Sequence, residues 1–137
     1  MSNKISDEID KQLVTLTSIR GVTAAAIVDN DGLVTHIRRD FEVDADALGA
    51  AVQIVFGAAR RAAENVNQGM SKLVIAENNN GVIMLAPLSN EFLLAVVADG
   101  SAMLGSVRFE VKQTIPVLNE LFTGDTRTGT QWARQAR

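Results

Sequence analysis

Two successive stretches, Gly81–Leu88 and Glu91–Ala98, are apolar at nearly every position, and this constrains the fold more than any other feature. A strand wetted on one face alternates apolar and polar residues, whereas one apolar on both faces must be covered on both. The surrounding segment Lys72–Glu110 reads as three short strands joined by tight turns, followed by a sharp turn into a long helix. Asn78-Asn79-Asn80-Gly81 is a hairpin signal between Lys72–Glu77 and Gly81–Leu88. Pro87 and Ser89-Asn90 lead into the last strand, which ends at Asp99-Gly100. Ser101 stands where an N-cap belongs, and Leu104, Val107, Val111, Ile115, Leu118 and Phe122 follow at helical spacing. Pro116 offers no N–H to the carbonyl of residue 112, which predicts a kink or break costing about 3 kcal/mol.

The N-terminal half has a similar grammar. Ile5, Ile9, Leu13, Leu16 and Ile19 form a helical stripe, with Ser6 as its expected N-cap and Gly21 as its stop. Val22–Asp29 is apolar on both faces and therefore an internal strand. Asn30-Asp31-Gly32 supplies a turn into Leu33–Arg38, where Leu33, Thr35 and Ile37 alternate with Val34, His36 and Arg38. Alternation and the charges of Arg38 and Arg39 suit an edge strand. Asp44 or Asp46 caps a long helix over Ala45–Asn67. The order helix–strand–strand–helix–strand–strand–strand–helix, in 137 residues, predicts one α/β domain: a three-layer sandwich around a five-stranded, mostly antiparallel sheet. The domain spans 1–122, and 123–137 form a polar, Arg-bearing tail.

The second helix bears on assembly. Leu48, Val52, Val55, Ala59, Ala62 and Val66 make one stripe suited to lie on the sheet. Ala47, Ala50, Ile54, Ala58 and Arg61 lie on another, also largely apolar face, and Gly49, Ala51 and Gly57 are small enough for close helix approach. A helix apolar most of the way round is usually buried on more than one side, which points to dimerisation through this helix. The plainer alternative is an alanine-rich helix of high propensity whose alanines face water.

Composition narrows the partners. Five Phe, one Trp and no Tyr leave little for base stacking, and a net charge of −3 lacks the basic excess that phosphate binding needs. Nucleic acid is not expected. The absence of cysteine excludes disulfides and thiolate chemistry. The segment MSNKISDEIDKQL is too acidic for a signal peptide, and no apolar run approaches the roughly 20 residues that cross a bilayer. No membrane insertion and a cytoplasmic location are expected.

The segments GVTAAAIVD (Gly21–Asp29) with Asp31-Gly32, GVIMLAPL (Gly81–Leu88), FLLAVVAD (Phe92–Asp99) and AMLGSVRFE (Ala102–Glu110), in this order, resemble the roadblock (dynein light chain) family. The likeness is to its compact prokaryotic members of the gliding-motility-regulator type and covers about residues 5–122. It implies a homodimer in which helix two and strand three meet across a two-fold axis, joining two five-stranded sheets into one. The implied interface is Ala47, Ala50, Ala51, Ile54, Gly57, Ala58 and Arg61, with Leu73 and Ile75 from strand three. It implies no cofactor and no nucleotide site. It also implies a platform role toward small Ras-like GTPases, as activators of hydrolysis or as subunits of larger assemblies. Pro116 and the Arg-bearing tail depart from the family pattern.

Reactive constellations are sparse. His36 is the single histidine, no GxSxG elbow accompanies it, and it reads as a partly exposed edge-strand residue. Asp29 and Asp31 beside Gly32 lack the later ligands of a calcium loop and read as turn chemistry. Gly124-x4-Gly129-Thr130 has neither the lysine nor the flanking strand of a phosphate loop. No metal site or enzyme activity is expected. Arg60, Arg61 and Arg108 are candidate partner contacts, although the first two also suit the end of a helix dipole. Trp132, with Arg127, Arg134 and Arg137, is the one aromatic-plus-basic cluster and another candidate contact. Two functions fit: a non-enzymatic regulator of a small Ras-like GTPase, or a structural adaptor indifferent to nucleotide.

Overall fold

A computed structural model describes residues 3–124. The elements are α1 (Asn3–Thr17), β1 (Val22–Val28), β2 (Val34–Arg39), α2 (Ala45–Asn65), β3 (Val74–Asn78), β4 (Gly81–Pro87), β5 (Leu93–Asp99) and α3 (Leu104–Gly124), in the predicted order. All five strands join one sheet in the order β2-β1-β5-β4-β3, and every pairing is antiparallel. The three strands apolar on both faces, β1, β4 and β5, are internal, and β2 lies at an edge as its charges require.

Strand alternation sorts the core into two layers. Ala25, Ile27, Met84, Ala86, Leu94 and Val96 point to one side, where they meet Ile9, Leu13 and Leu16 of α1 and Val107, Val111 and Leu118 of α3. Each fully buried Leu or Ile in this layer contributes roughly 1.5–3 kcal/mol. Val28, Leu85, Leu93 and Ala95 point to the other side, against Val52 and Phe56 of α2. The three-layer sandwich is therefore present, with α1 and α3 sharing one face.

Several local expectations are corrected. Ser6 lies inside α1, not at its cap, and its Oγ hydrogen-bonds with His36 Nε2 at 3.0 Å. The helix ends at Thr17, ahead of Gly21, which turns the chain into β1 with φ +88°. Simple alternation in β2 fails because Ile27 pairs with His36 while Val28 pairs with Val34, leaving Thr35 as an extra residue. This bulge lets Val34 join the α2-side core although His36 bonds to α1. Strand β3 starts at Val74, not Lys72, and Glu91 belongs to the turn before β5. Asp44 is the cap of α2, accepting a hydrogen bond from Ala47 N at 3.1 Å.

Helix α3 also differs. Ser101 is not its cap: its N–H and its hydroxyl both donate to Asp99 Oδ1, at 2.9 and 2.6 Å. These bonds, with a smaller contribution from Arg20, hold the Asp99 carboxyl below its ordinary value. Of the kink or break expected at Pro116, the break is absent: the helix runs on from Leu104 to Gly124. Pro116 and Lys112 are both on the exposed side, so the carbonyl that loses its helical partner faces water instead. Beyond the proline the helix is fastened to the β4–β5 turn. Ser89 N donates to Asn119 Oδ1 at 2.7 Å, and Phe92 stacks on Phe122 with ring centroids 4.6 Å apart.

Candidate interaction surface

Helix α2 meets the sheet through a narrower stripe than its composition suggests. Gly49, Val52 and Phe56 are its buried residues, at i, i+3 and i+7. Phe56 was not among the predicted sheet contacts. Leu48 and Ala59 of that predicted stripe are half-buried, but Val55 is 44% exposed, Val66 61% exposed, and Ala62 exposed. Phe56 joins Gly49 and Val52 in the buried contact, and the flanks of the helix stay open in the single chain. The signal was present in the sequence: only Phe56 places an aromatic ring on the same face as Val52.

Gly49 is also reassigned. A methyl group there would lie 2.2 Å from the carbonyl oxygen of Gly32, so the glycine lets α2 sit against the β1–β2 turn, not against another helix. That turn is stiffened from within. Asp29 Oδ1 accepts from the backbone N–H groups of Asp31 and Leu33, both at 2.9 Å, and Gln53 Nε2 of α2 donates to the Asp29 carbonyl at 2.7 Å. Asp29 thus works as a turn residue.

The remaining predicted interface residues divide into two groups. Ala47, Ala50, Ala51, Ile54, Ala58 and Arg61 are exposed on α2 and Gly57 is half-buried, with Ile54 71% exposed. At about 100° per residue, Ile54 points away from the sheet, while Ala51, Val55, Ala58 and Ala62 turn toward the β3 side. There an open cleft is lined by Ala59, Ala62 and Ala63 of α2, by Val66 at its C-cap, and by Met70, Leu73 and Val74. Met70 at its rim is 82% exposed. Strand β3 is the second edge of the sheet, and its outer N–H and C=O groups have no strand beside them. Ile75 does not share this surface. It packs against the α1/α3 layer, and Leu73 contacts that layer as well as the cleft. Val74 is the β3 residue on the α2 side.

The candidate partner contacts are scattered. Arg60 lines a small cleft with Gln53, Phe56 and the β4–β5 turn residues Leu88, Glu91 and Phe92. Arg61 lies on the outward side of α2 and Arg108 on α3, both exposed. None of the three arginines takes part in an ion pair among the described residues. Neither Arg60 nor Arg61 stands in the last turn of α2, so the helix dipole does not account for them. Trp132 lies outside the described residues. His36 is a half-buried pin between β2 and α1, with Thr35 Oγ1 3.0 Å from its Nδ1. Among the described residues no three potential metal ligands cluster, and no helix is long and apolar enough to cross a membrane.

This architecture recurs in solved structures. The gliding protein MglB from Thermus thermophilus superposes with a TM-score of 0.82 at 17% identity, over 88% of this chain and 93% of that one. A structure described as MglB with tetrameric arrangement has the same score and identity, over 88% and 92%. In sequence, the uncharacterised protein MJ0310 of Methanocaldococcus jannaschii is 29% identical over 114 residues, 83% of this chain and 99% of its own. Residues 8–98, from α1 to the end of β5, match the Roadblock/LC7 domain. The chain therefore belongs to the Roadblock/LC7 domain family.

Proposed function

We propose that the protein is a homodimeric regulator that binds a small Ras-like GTPase and modulates its nucleotide cycle, without chemistry of its own. The observation carrying the dimer is the continuous uncovered surface formed by the outer and β3-side faces of α2, the apolar cleft beside them and the unpaired edge of β3. Unpartnered apolar surface of this extent is a usual mark of an interaction site. A second copy meets it with the same residues across a two-fold axis, which makes the contact self-complementary. The MglB structures, one of them tetrameric, support assembly, and the family resemblance supports a GTPase as the further partner. Arg60 and Arg108, without counter-ions among the described residues, are the charged groups offered to it. To act on the nucleotide cycle the dimer must bind one nucleotide state of the GTPase better than the other.

Ile54→Asp tests this reading. Because Ile54 is largely exposed in the single chain, the change leaves the fold intact, whereas in a dimer it buries an unpaired carboxylate. Light scattering after size-exclusion chromatography should show dimer mass for the wild type and monomer mass for the variant. The same two proteins, immobilised and exposed to native cytosol with GDP or a non-hydrolysable GTP analogue, test the partner. A small GTPase held by the wild type only with the analogue supports regulation. Partners indifferent to nucleotide assign the chain to the adaptor role instead.

A further inference from the structure

We propose that Asn80 is a site of spontaneous covalent modification: intramolecular deamidation to aspartate and isoaspartate at the tip of the β3–β4 hairpin. Of the chain's asparagines, Asn80 alone is followed by glycine. The closing pair Asn78↔Gly81 leaves Asn79 and Asn80 as a two-residue loop, and both are exposed. The reaction needs the main-chain nitrogen of the next residue to reach the side-chain amide carbon, and a following Cβ obstructs that approach. Glycine removes the obstruction.

At this position the glycine is not free to change. Gly81 has φ +153°, and a methyl group on it would lie 2.1 Å from the carbonyl oxygen of Ala98 in β5. The residue that allows β4 to pass so close to β5 is the same one that leaves Asn80 open to attack. The hairpin's geometry therefore retains a labile pair of residues.

Gly81 N attacks Asn80 Cγ and a C–N bond forms. The Cγ–Nδ2 bond breaks, and the leaving nitrogen departs as ammonia with the proton from Gly81 N. Water then opens the resulting five-membered imide. Addition at Cγ returns aspartate, and addition at the main-chain carbonyl routes the backbone through the side chain as isoaspartate. Either product adds one negative charge near Glu77 and Asp99, which line the same depression beside the hairpin. The isoaspartyl form also lengthens the main chain by one methylene within a two-residue loop. That added atom disturbs the Asn78↔Gly81 closure and loosens the outer strand β3 from its hairpin end.

The experiment incubates the full chain at mildly alkaline pH and body temperature, then reads Asn80 by peptide mass spectrometry with separation of the aspartyl and isoaspartyl forms. Asn80 should convert several-fold faster than any other asparagine, and Asn80→Ser should abolish the change. Hydrogen exchange should then show faster exchange of β3 amides in the isoaspartyl fraction, with α1 and β1 unchanged. A parallel sample in urea supplies the rate of the unstructured chain. Conversion there, with none at Asn80 in the folded protein over the same period, would overturn the proposal. So would conversion at Asn79 or Asn90 at a rate equal to that of Asn80.

Discussion

Gly49 shows how much one hydrogen atom in place of a methyl group decides. Its Cα lies so close to the β1–β2 turn that a Cβ would meet backbone, which cannot rotate away as a side chain could. In the sequence Gly49 is indistinguishable from the other small residues of α2, because which small residue faces what depends on where the helix axis lies. Gly57, eight positions on, would have nothing within 4 Å of an added methyl group and is open to substitution. Gly49→Ala should destabilise the protein by about 1–3 kcal/mol, the usual cost of overpacking. Gly57→Ala should be neutral or stabilising by up to about 1 kcal/mol in the isolated chain, since alanine is the better helix former. Urea unfolding of both variants checks the pair, and equal effects would refute the assignment of Gly49 to the turn.

At the scale of elements, strand identity was readable and helix orientation was not. A strand's covering follows from period-two patterning, so β1, β4 and β5 declared themselves internal by being apolar on both sides. For α2 several apolar arcs compete; the one aromatic ring, Phe56, hints at the arc of Gly49, Val52 and Phe56 that is buried, but periodicity alone does not choose it. The side taken by Ile75 was unreadable for a related reason: strand β3 shows apolar residues on both sides, and only the tertiary fold says that Val74 faces α2 while Ile75 faces α1 and α3. Pro116 gives the opposite case, a local rule overruled by its surroundings. Buried Thr114 and Leu118 on either side, and the Asn119 and Phe122 contacts beyond, hold the helix through the missing bond. Pro116→Ala restores one backbone hydrogen bond at an exposed position, and should stabilise the protein by about 1–3 kcal/mol, less what the proline gained by stiffening the unfolded chain. Thermal unfolding would show this as a raised midpoint; a lowered one would mean the proline shapes the helix in a way its neighbours depend on.

The whole molecule is two halves stitched along one seam. α1, β1, β2 and α2 come from residues 3–65, and β3, β4, β5 and α3 from residues 74–124; among the strands, only the β1–β5 ladder joins the halves. Its partners, such as Ala26 with Ala95 and Ile27 with Leu94, are far apart in sequence, whereas β1–β2 and β3–β4–β5 are local hairpins. That arrangement has a kinetic meaning. Each hairpin can form within its own neighbourhood, but the centre of the sheet waits for a long loop to close, and loop closure is where folding rates are lost. Leu94→Ala, in the seam, should therefore slow refolding, while Ile75→Val, at the outer strand, should mainly speed unfolding. Stopped-flow chevrons of the two variants measure this directly. If closing the seam sets the barrier, the sheet's most deeply buried ladder is also the point of no return on the way to the native state.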